Sequence, residues 1–344
     1  LDLGDSAAAR FYLLAYVHAV RLLNGLTSSL AGAADLRRES FFNQCGVLLT
    51  AKGEDEIERQ RKILAAGLLP EGWIEPRRDG AFFPQAGVVD PEKFVRALAA
   101  GAEIIKARAQ KIGHENEQPV VFLEGGAQLR FDAVILANGI DALKFAAART
   151  LPLSAVAGQI DRFADAAPIP HALAFGPYAA PAPNVGEEGG GLVVGATYEK
   201  LGATNRPAPS RRATEENIAA LARLAPEIAA GLCAEDARPR VSIRCQTPDR
   251  LPVSGPLPDV DYYGAAYDDL RLGAARDHPR ARMAPGLYIL SGLGSRGLVT
   301  APFAAKMLIG ELTGDPVDRE IAEALHPARF FIRDLKRAQT IRKT

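Results

Sequence analysis

The chain has 344 residues, 48% apolar and 24% charged, the profile of a soluble globular protein with room for two domains or one large α/β unit. Its 41 basic and 41 acidic residues cancel, which excludes a uniformly cationic polyanion binder. Cys45, Cys233 and Cys245 show no Cys-x-x-Cys spacing, which argues against a disulfide framework or a zinc site and fits a reducing cytoplasm.

The chain opens Leu1-Asp2-Leu3-Gly4-Asp5-Ser6 and passes directly into a helical pattern from Ala7 to Gly25, with Asp5 or Ser6 as N-cap and Gly25 as stop. Within it, Phe11 to Leu26 carries His18, Arg21 and Asn24, too short and too polar at its centre to span a bilayer. No signal-peptide pattern is visible. Cys45 to Ala51 reads as a strand and Glu54 to Ala66 as a charged surface helix. Asp90 should cap a helix that starts at Pro91 and runs through Ala100. Pro119 to Leu123 and Gln128 to Arg130 read as a hairpin around Glu124-Gly125-Gly126.

Phe131 to Gly139 is a continuous apolar run with a small-residue end, which predicts a strand buried on both faces of a parallel sheet. From Leu151 to Ala196, strands alternate with Pro- and Gly-rich turns, and Pro181 to Gly191 reads as a loop. Thr214 to Cys233 is helical. Helix-rich and strand-only text thus alternate, which predicts two domains interleaved by repeated crossings. His326 to Thr344 forms a basic tail, with Arg329, Arg333, Lys336, Arg337, Arg342 and Lys343 against Asp334 alone. Such a cluster suits nucleic-acid phosphates or a solvated helix.

The most informative stretch is Leu287 to Leu298, a strand followed by Gly292-Leu293-Gly294-Ser295-Arg296-Gly297 and a helix from Ala301 to Leu312. Gly-x-Gly-x-x-Gly between strand and helix lets backbone amides approach an electron-rich group at the positive helix end. A dinucleotide turn would need an acid at the end of the next strand, yet Glu311 and Asp315 sit near a helix end. Two readings remain at this level: a tight packing turn, or a helix start that faces the redox ring of a flavin.

Arg244-Cys245-Gln246-Thr247-Pro248-Asp249-Arg250-Leu251-Pro252, followed by Gly286-Leu287-Tyr288 and the glycine turn, resembles the D-amino-acid-oxidase-like flavoproteins. The likeness is closer to the FAD-dependent oxidoreductase domain of the bifunctional tRNA 5-methylaminomethyl-2-thiouridine biosynthesis family. Cys45 to Leu48, Phe82 to Gly87, Ala133 to Gly139, Gly158-Gln159 and His326 to Arg333 match in the same order. Ala86, Val88 and Ala157 depart from the family's usual Gly, Trp and Arg.

This resemblance implies a mixed α/β fold in which a Rossmann-like FAD-binding domain is interleaved with an antiparallel-sheet substrate domain. The implied division is 1–34, 86–148 and 246–325 for the FAD side, 35–85 and 149–245 for the substrate side, and 326–344 as the basic tail. Nothing before Ala7 reads as the family's first strand, glycine turn and helix, so that βαβ unit is expected to be absent.

The implied activity is FAD-dependent removal of the carboxymethyl group from 5-carboxymethylaminomethyl-(2-thio)uridine at the tRNA wobble position. A methyltransferase domain on the same or a separate chain is the implied partner. Ala137, Asn138, Gly139, Gly292, Leu293, Gly294, Ser295, Arg296, Gly297 and Leu298 are expected at the cofactor. Tyr178, Arg244, Arg250 and Arg296 are expected at the substrate, with no catalytic acid or base and no metal assigned. A small-molecule amine oxidase acting on glycine or sarcosine-like substrates, and a flavin-less tRNA-binding remnant, are the rival readings.

Overall fold

A computed structural model describes residues 5–30, 40–51, 53–182, 191–201, 207–272 and 277–337. The chain divides into two compact units, 1–102 with 156–243, and 103–155 with 244–344. The segments 183–190 of the expected loop and 338–344 of the basic tail lie outside the described residues. Among the described residues no helix is long and apolar enough to cross a membrane.

The first unit is built on a nine-stranded, largely antiparallel sheet. One parallel pairing within it joins Val47–Thr50 to Ala172–Ala174. The long strand Ser154–Phe163 pairs antiparallel with Leu192–Gly195, whose other edge takes Tyr178–Pro181. The helix Arg211–Ala222, capped by Ser210, packs Leu221 onto Phe163, Leu192 and Val194 of this sheet. Pro226, which has no N–H, breaks the expected 214–233 helix and restarts it as the short helix Pro226–Ala229.

The first helix spans Ala7–Leu30, with the Ser6 hydroxyl accepting from the Ala9 N–H as its cap. It therefore runs through Gly25, against the expectation that Gly25 stops it. Leu22, Leu23 and Leu26 pack against Phe41, Phe42 and Phe94, so burial on both sides of Gly25 outweighs a propensity cost of about 1 kcal/mol. The same cluster explains why this helix and Pro91–Leu98 lie in the first unit, whereas the expected division put both on the FAD side. Asp90 caps Pro91–Leu98 as expected, accepting from the N–H groups of Glu92 and Lys93.

The second unit contains two three-stranded sheets. One is a meander in which Gln118–Leu123 and Gln128–Arg130 form the expected hairpin, with Gly125 and Gly126 at positive φ. Its third strand, Ala109–Glu115, is too polar to read as a strand from sequence. In the other sheet Met283–Ser291 is central, antiparallel to Val253–Pro258 and parallel to Val134–Leu136. The expected 131–139 strand is therefore short, and it lies at the edge of its sheet. Leu136 enters the core, but Ile135 is 37% exposed, so the run is not buried on both faces.

Leu136, Val253, Leu257, Leu287, Ile289, Tyr263, Phe330 and Phe331 belong to one core, so the tail helix Ala328–Lys336 is part of this unit. His326 precedes that helix, and its Nδ1 accepts from the Ala328 N–H at 3.0 Å. Burial, aided by the Arg329 charge, lowers its pKa from 6.5 to about 4. The unfolded chain therefore takes up this proton first, and the stability held above pH 6.5 is lost as pH falls toward 4. The expected loss is about 3 kcal/mol by pH 4, and an acid titration of chemical unfolding should resolve it. His326→Asn retains an acceptor and should flatten that acid limb; an unchanged limb would assign it to other groups.

Candidate functional site

The strands Val134–Leu136 and Met283–Ser291 are parallel, with Leu136 beside Ile289, so their carboxyl ends point the same way. The turns beginning at Ala137 and Gly292 leave the sheet at that end. In open α/β sheets the carboxyl end is where ligands bind. Two segments about 155 residues apart in the chain are thereby brought together.

Particular bonds hold them. The Ser291 hydroxyl, buried at the strand end, donates to the Gly139 carbonyl at 3.1 Å. It also lies 3.5 Å from the Cys245 thiol. The Gly294 N–H donates to the Cys245 carbonyl at 2.8 Å, and Leu293 forms an isolated antiparallel bridge with Gln246. Segments 137–139, 244–247 and 291–294 thus form one cluster within the second unit.

The glycines are required by backbone geometry. Gly139, Gly292 and Gly294 have φ of 63°, 69° and 57°, the left-handed region that disfavours side chains. At Gly292 a Cβ would also lie 2.6 Å from Cγ2 of the buried Thr247. The helix that follows spans Gly297–Thr313, four residues earlier at its start than expected. It ends at Gly314 in the left-handed conformation. Arg296 occupies its N-cap position without a side-chain cap bond, and the first turn holds no acid. Among the described residues, neither a side-chain cap nor a first-turn acid offsets the positive end of this 17-residue helix.

The expected site residues fall into two groups. Ala137 and Asn138 are exposed, Gly139 is half-buried, and Gly292, Leu293, Gly294, Ser295 and Gly297 surround the helix start. Arg296 is exposed and Leu298 is 44% exposed. Arg244 is half-buried at the end of the strand Arg238–Gln246. Arg250 is exposed in a turn closed by its N–H to the Thr247 carbonyl, at φ 65°. These residues all lie in the second unit. Tyr178, 36% exposed, belongs to the first unit, on the strand Tyr178–Pro181.

Sequence reasoning missed the group that holds the 247–252 turn. Arg329 from the tail helix bonds both Asp249 oxygens, at 2.8 and 3.2 Å, and the Leu251 and Pro252 carbonyls, each at 3.1 Å. Burial works against the Asp249 charge, but the Arg329 bonds and charge, with the Leu251 N–H, outweigh it and hold the carboxyl below its ordinary range. The only available signal was that both residues lie in quoted motifs, and nothing there pairs them. Among the described residues no His, Cys, Asp and Glu cluster could hold a metal ion.

A family model described as FAD dependent oxidoreductase (DAO) matches residues 9–310. Relatives named as tRNA 5-methylaminomethyl-2-thiouridine biosynthesis bifunctional protein MnmC occur in Methylobacillus flagellatus and Pseudomonas aeruginosa. Each is 32% identical over 98% of this chain and 53% of the relative. The chain therefore spans about half the length of the curated relatives it matches.

Among solved structures, iminodiacetate oxidase from Chelativorans sp. BNC1 superposes with TM-score 0.63 and 20% identity over 89% of this chain and 81% of that one. Glycine oxidase from Geobacillus kaustophilus gives TM-score 0.62 and 20% identity over 88% and 79%. Both share the fold. With the family model covering most of its length and the glycine turns meeting at the carboxyl ends of parallel strands, the chain belongs to the FAD-dependent oxidoreductase (DAO) family.

Proposed function

We propose that this chain is the oxidase part of a cytoplasmic tRNA-modifying enzyme. Its reaction oxidises the C–N bond of 5-carboxymethylaminomethyl-(2-thio)uridine at the wobble position to an imine. Water hydrolyses the imine, so that the carboxymethyl carbons leave as glyoxylate and 5-aminomethyl-(2-thio)uridine remains. The observation that carries this reading is 32% identity, over 98% of the chain, to relatives named for tRNA 5-methylaminomethyl-2-thiouridine biosynthesis. Those relatives are named bifunctional, and the chain matches about half of each, which fits an oxidase half beside a methyltransferase half.

The residues present fit the ring end of FAD. Left-handed glycines at 139, 292 and 294 let backbone come close to a flat ligand, and the helix start, which has no side-chain cap, offers the N–H groups of Gly297 and Leu298. In this reading the second unit carries the cofactor, along Ala137 to Gly139 and Gly292 to Leu298, and the first unit carries substrate contacts. FAD, when bound, supplies the electron acceptor for oxidation of the amine's C–N bond. The chain's own task is positional and electrostatic. The helix start stabilises negative charge that develops on the neighbouring ligand. Arg296, Arg244 and Arg250 offer guanidinium forks suited to the substrate carboxylate or to phosphate, and Tyr178 offers a phenol from the first unit.

The full-length gene product should purify yellow, with flavin absorption, and should convert tRNA that carries the carboxymethylaminomethyl group. A colourless protein that cannot be loaded with FAD would overturn the oxidase reading in favour of a flavin-less binder. Faster turnover of free glycine or sarcosine than of modified tRNA would favour a small-molecule oxidase. Mass spectrometry of wobble nucleosides from a deletion strain should show the carboxymethylated form accumulating.

A further inference from the structure

The tail helix Ala328–Lys336 is two-faced. Ala328, Phe330, Phe331 and Leu335 are buried, whereas Arg329, Arg333, Lys336 and Arg337 follow at steps of four, three and one. That spacing puts the four cations on one side of the helix. All four line a single cavity of about 610 Å³ in the second unit, together with Ile332 and one carboxylate, Glu323. His326 also reaches this wall, but with its pKa lowered to about 4 it adds no charge near neutral pH.

The cations are not equally available. Arg329 is committed to Asp249 and to backbone carbonyls. The Arg333 Nε pairs with Asp334 at 3.2 Å, and its guanidinium lies 5.3 Å from the Phe330 ring centre. Lys336 and Arg337 are exposed, and among the described residues neither pairs with an acid. Cations near a helix C-terminus are favourable in themselves. That accounts for basic residues in the last turn, but not for a cavity wall shared with Arg333 and Arg329, one and two turns earlier.

We propose that this cavity seats a phosphodiester of the tRNA backbone, with Lys336 and Arg337 as its direct contacts and Arg333 beside them. The assignment rests on the tRNA reading above. The volume lies within the roughly 300–1,000 Å³ typical of small-ligand clefts, and so takes a phosphate with an adjoining ribose. Guanidinium and ammonium groups recognise phosphate oxygens through charge-assisted bonds.

The test measures binding of the modified tRNA to the full-length FAD-loaded protein across a salt series, for wild type and for Lys336→Glu/Arg337→Glu. The expected result is a roughly tenfold or greater loss of affinity and a log–log salt slope shallower by about 2. Lys336→Gln/Arg337→Gln should show a smaller loss, and Lys336→Arg/Arg337→Lys should restore binding. Both positions are exposed, so an unchanged thermal transition should confirm that the variants fold.

Unchanged affinity and slope in a folded charge-reversal variant would overturn this inference and leave the proposed reaction standing. A loss of inorganic phosphate binding with tRNA affinity intact would also overturn it, in favour of a free-anion site. Wild-type protein that neither binds nor converts tRNA would remove the proposed function, and this contact with it.

Discussion

Asp161→Ala is expected to destabilise the first unit by about 4 kcal/mol, as measured by chemical unfolding. Asp161 is fully buried near the carboxyl end of the strand Ser154–Phe163. Its Oδ1 accepts from Gln159 Nε2 at 2.9 Å and from the Thr214 hydroxyl at 2.8 Å, and its Oδ2 accepts from Asn217 Nδ2 at 2.6 Å. Thr214 and Asn217 sit on the helix Arg211–Ala222, and Gln159 Oε1 accepts from the N–H of its capping residue, Ser210. The carboxyl is therefore the hub that fixes this helix to the sheet. Its removal leaves one Asn217 N–H without its acceptor and the Thr214 hydroxyl with only the Ser210 carbonyl at 3.5 Å, whereas Gln159 Nε2 keeps the Ser210 carbonyl and the Thr214 hydroxyl. Each lost acceptor carries a penalty of about 1–3 kcal/mol, and the small cavity adds to it. Asp161→Asn should lose less, because one oxygen still accepts while its new N–H₂ opposes that of Asn217. Hydrogen exchange should show the helix amides losing protection first. A change below about 1 kcal/mol in Asp161→Ala would mean that apolar packing through Leu221 holds the helix without the hub.

This network also shows where reading the sequence stops. Gly158-Gln159 matched a family motif, but nothing local reveals that Gln159 and Asp161 pair with residues more than 50 positions away. What was legible was local: the Asp90 cap with Pro91, the glycine hairpin at 125–126, and the strand, glycine turn and helix from 287 onward. The meeting of Gly139 with the 291–294 turn followed less directly, because two apolar strands ending in small-residue turns become neighbours only if they pair in parallel. Their order in the sheet is not encoded by periodicity, and neither is the edge position of Val134–Leu136. Gly25 and Pro226 show the same limit in opposite senses. Tertiary burial of Leu26 carried a helix past a glycine, whereas the missing N–H of Pro226 broke one where apolar periodicity alone continued.

Arg329→Met should cost about 3 kcal/mol and should loosen the 247–252 turn beneath the glycine cluster. The Arg329 guanidinium serves both oxygens of Asp249, and its reach to the Leu325, His326, Leu251 and Pro252 carbonyls ties the start of the tail helix to that turn. Methionine has about the length of the arginine stem, but it loses the guanidinium that lies 4.1 Å from the Phe330 ring centre and leaves Asp249, whose side chain is 34% exposed, without its cation. Because the Asp249 side chain is 34% exposed, the ion pair itself contributes little, and most of the loss comes from the part-buried carbonyls of Leu325, His326, Leu251 and Pro252 that lose their charged donor. Asp249→Asn should lose less, and the double variant should show a coupling of about 1–2 kcal/mol in a double-mutant cycle. The functional consequence follows from Thr247, whose methyl group lies against Gly292 and whose hydroxyl donates to the Leu251 carbonyl at 2.6 Å. A turn released at Asp249 therefore frees the side chain that packs on Gly292, the first glycine of the turn proposed to meet the cofactor. In the full-length protein, Arg329→Met should release FAD more readily than wild type, whereas Lys336→Glu/Arg337→Glu should retain it. Equal FAD retention in all three proteins would separate the 247–252 turn from cofactor binding and leave Arg329 with a purely structural part in the tail.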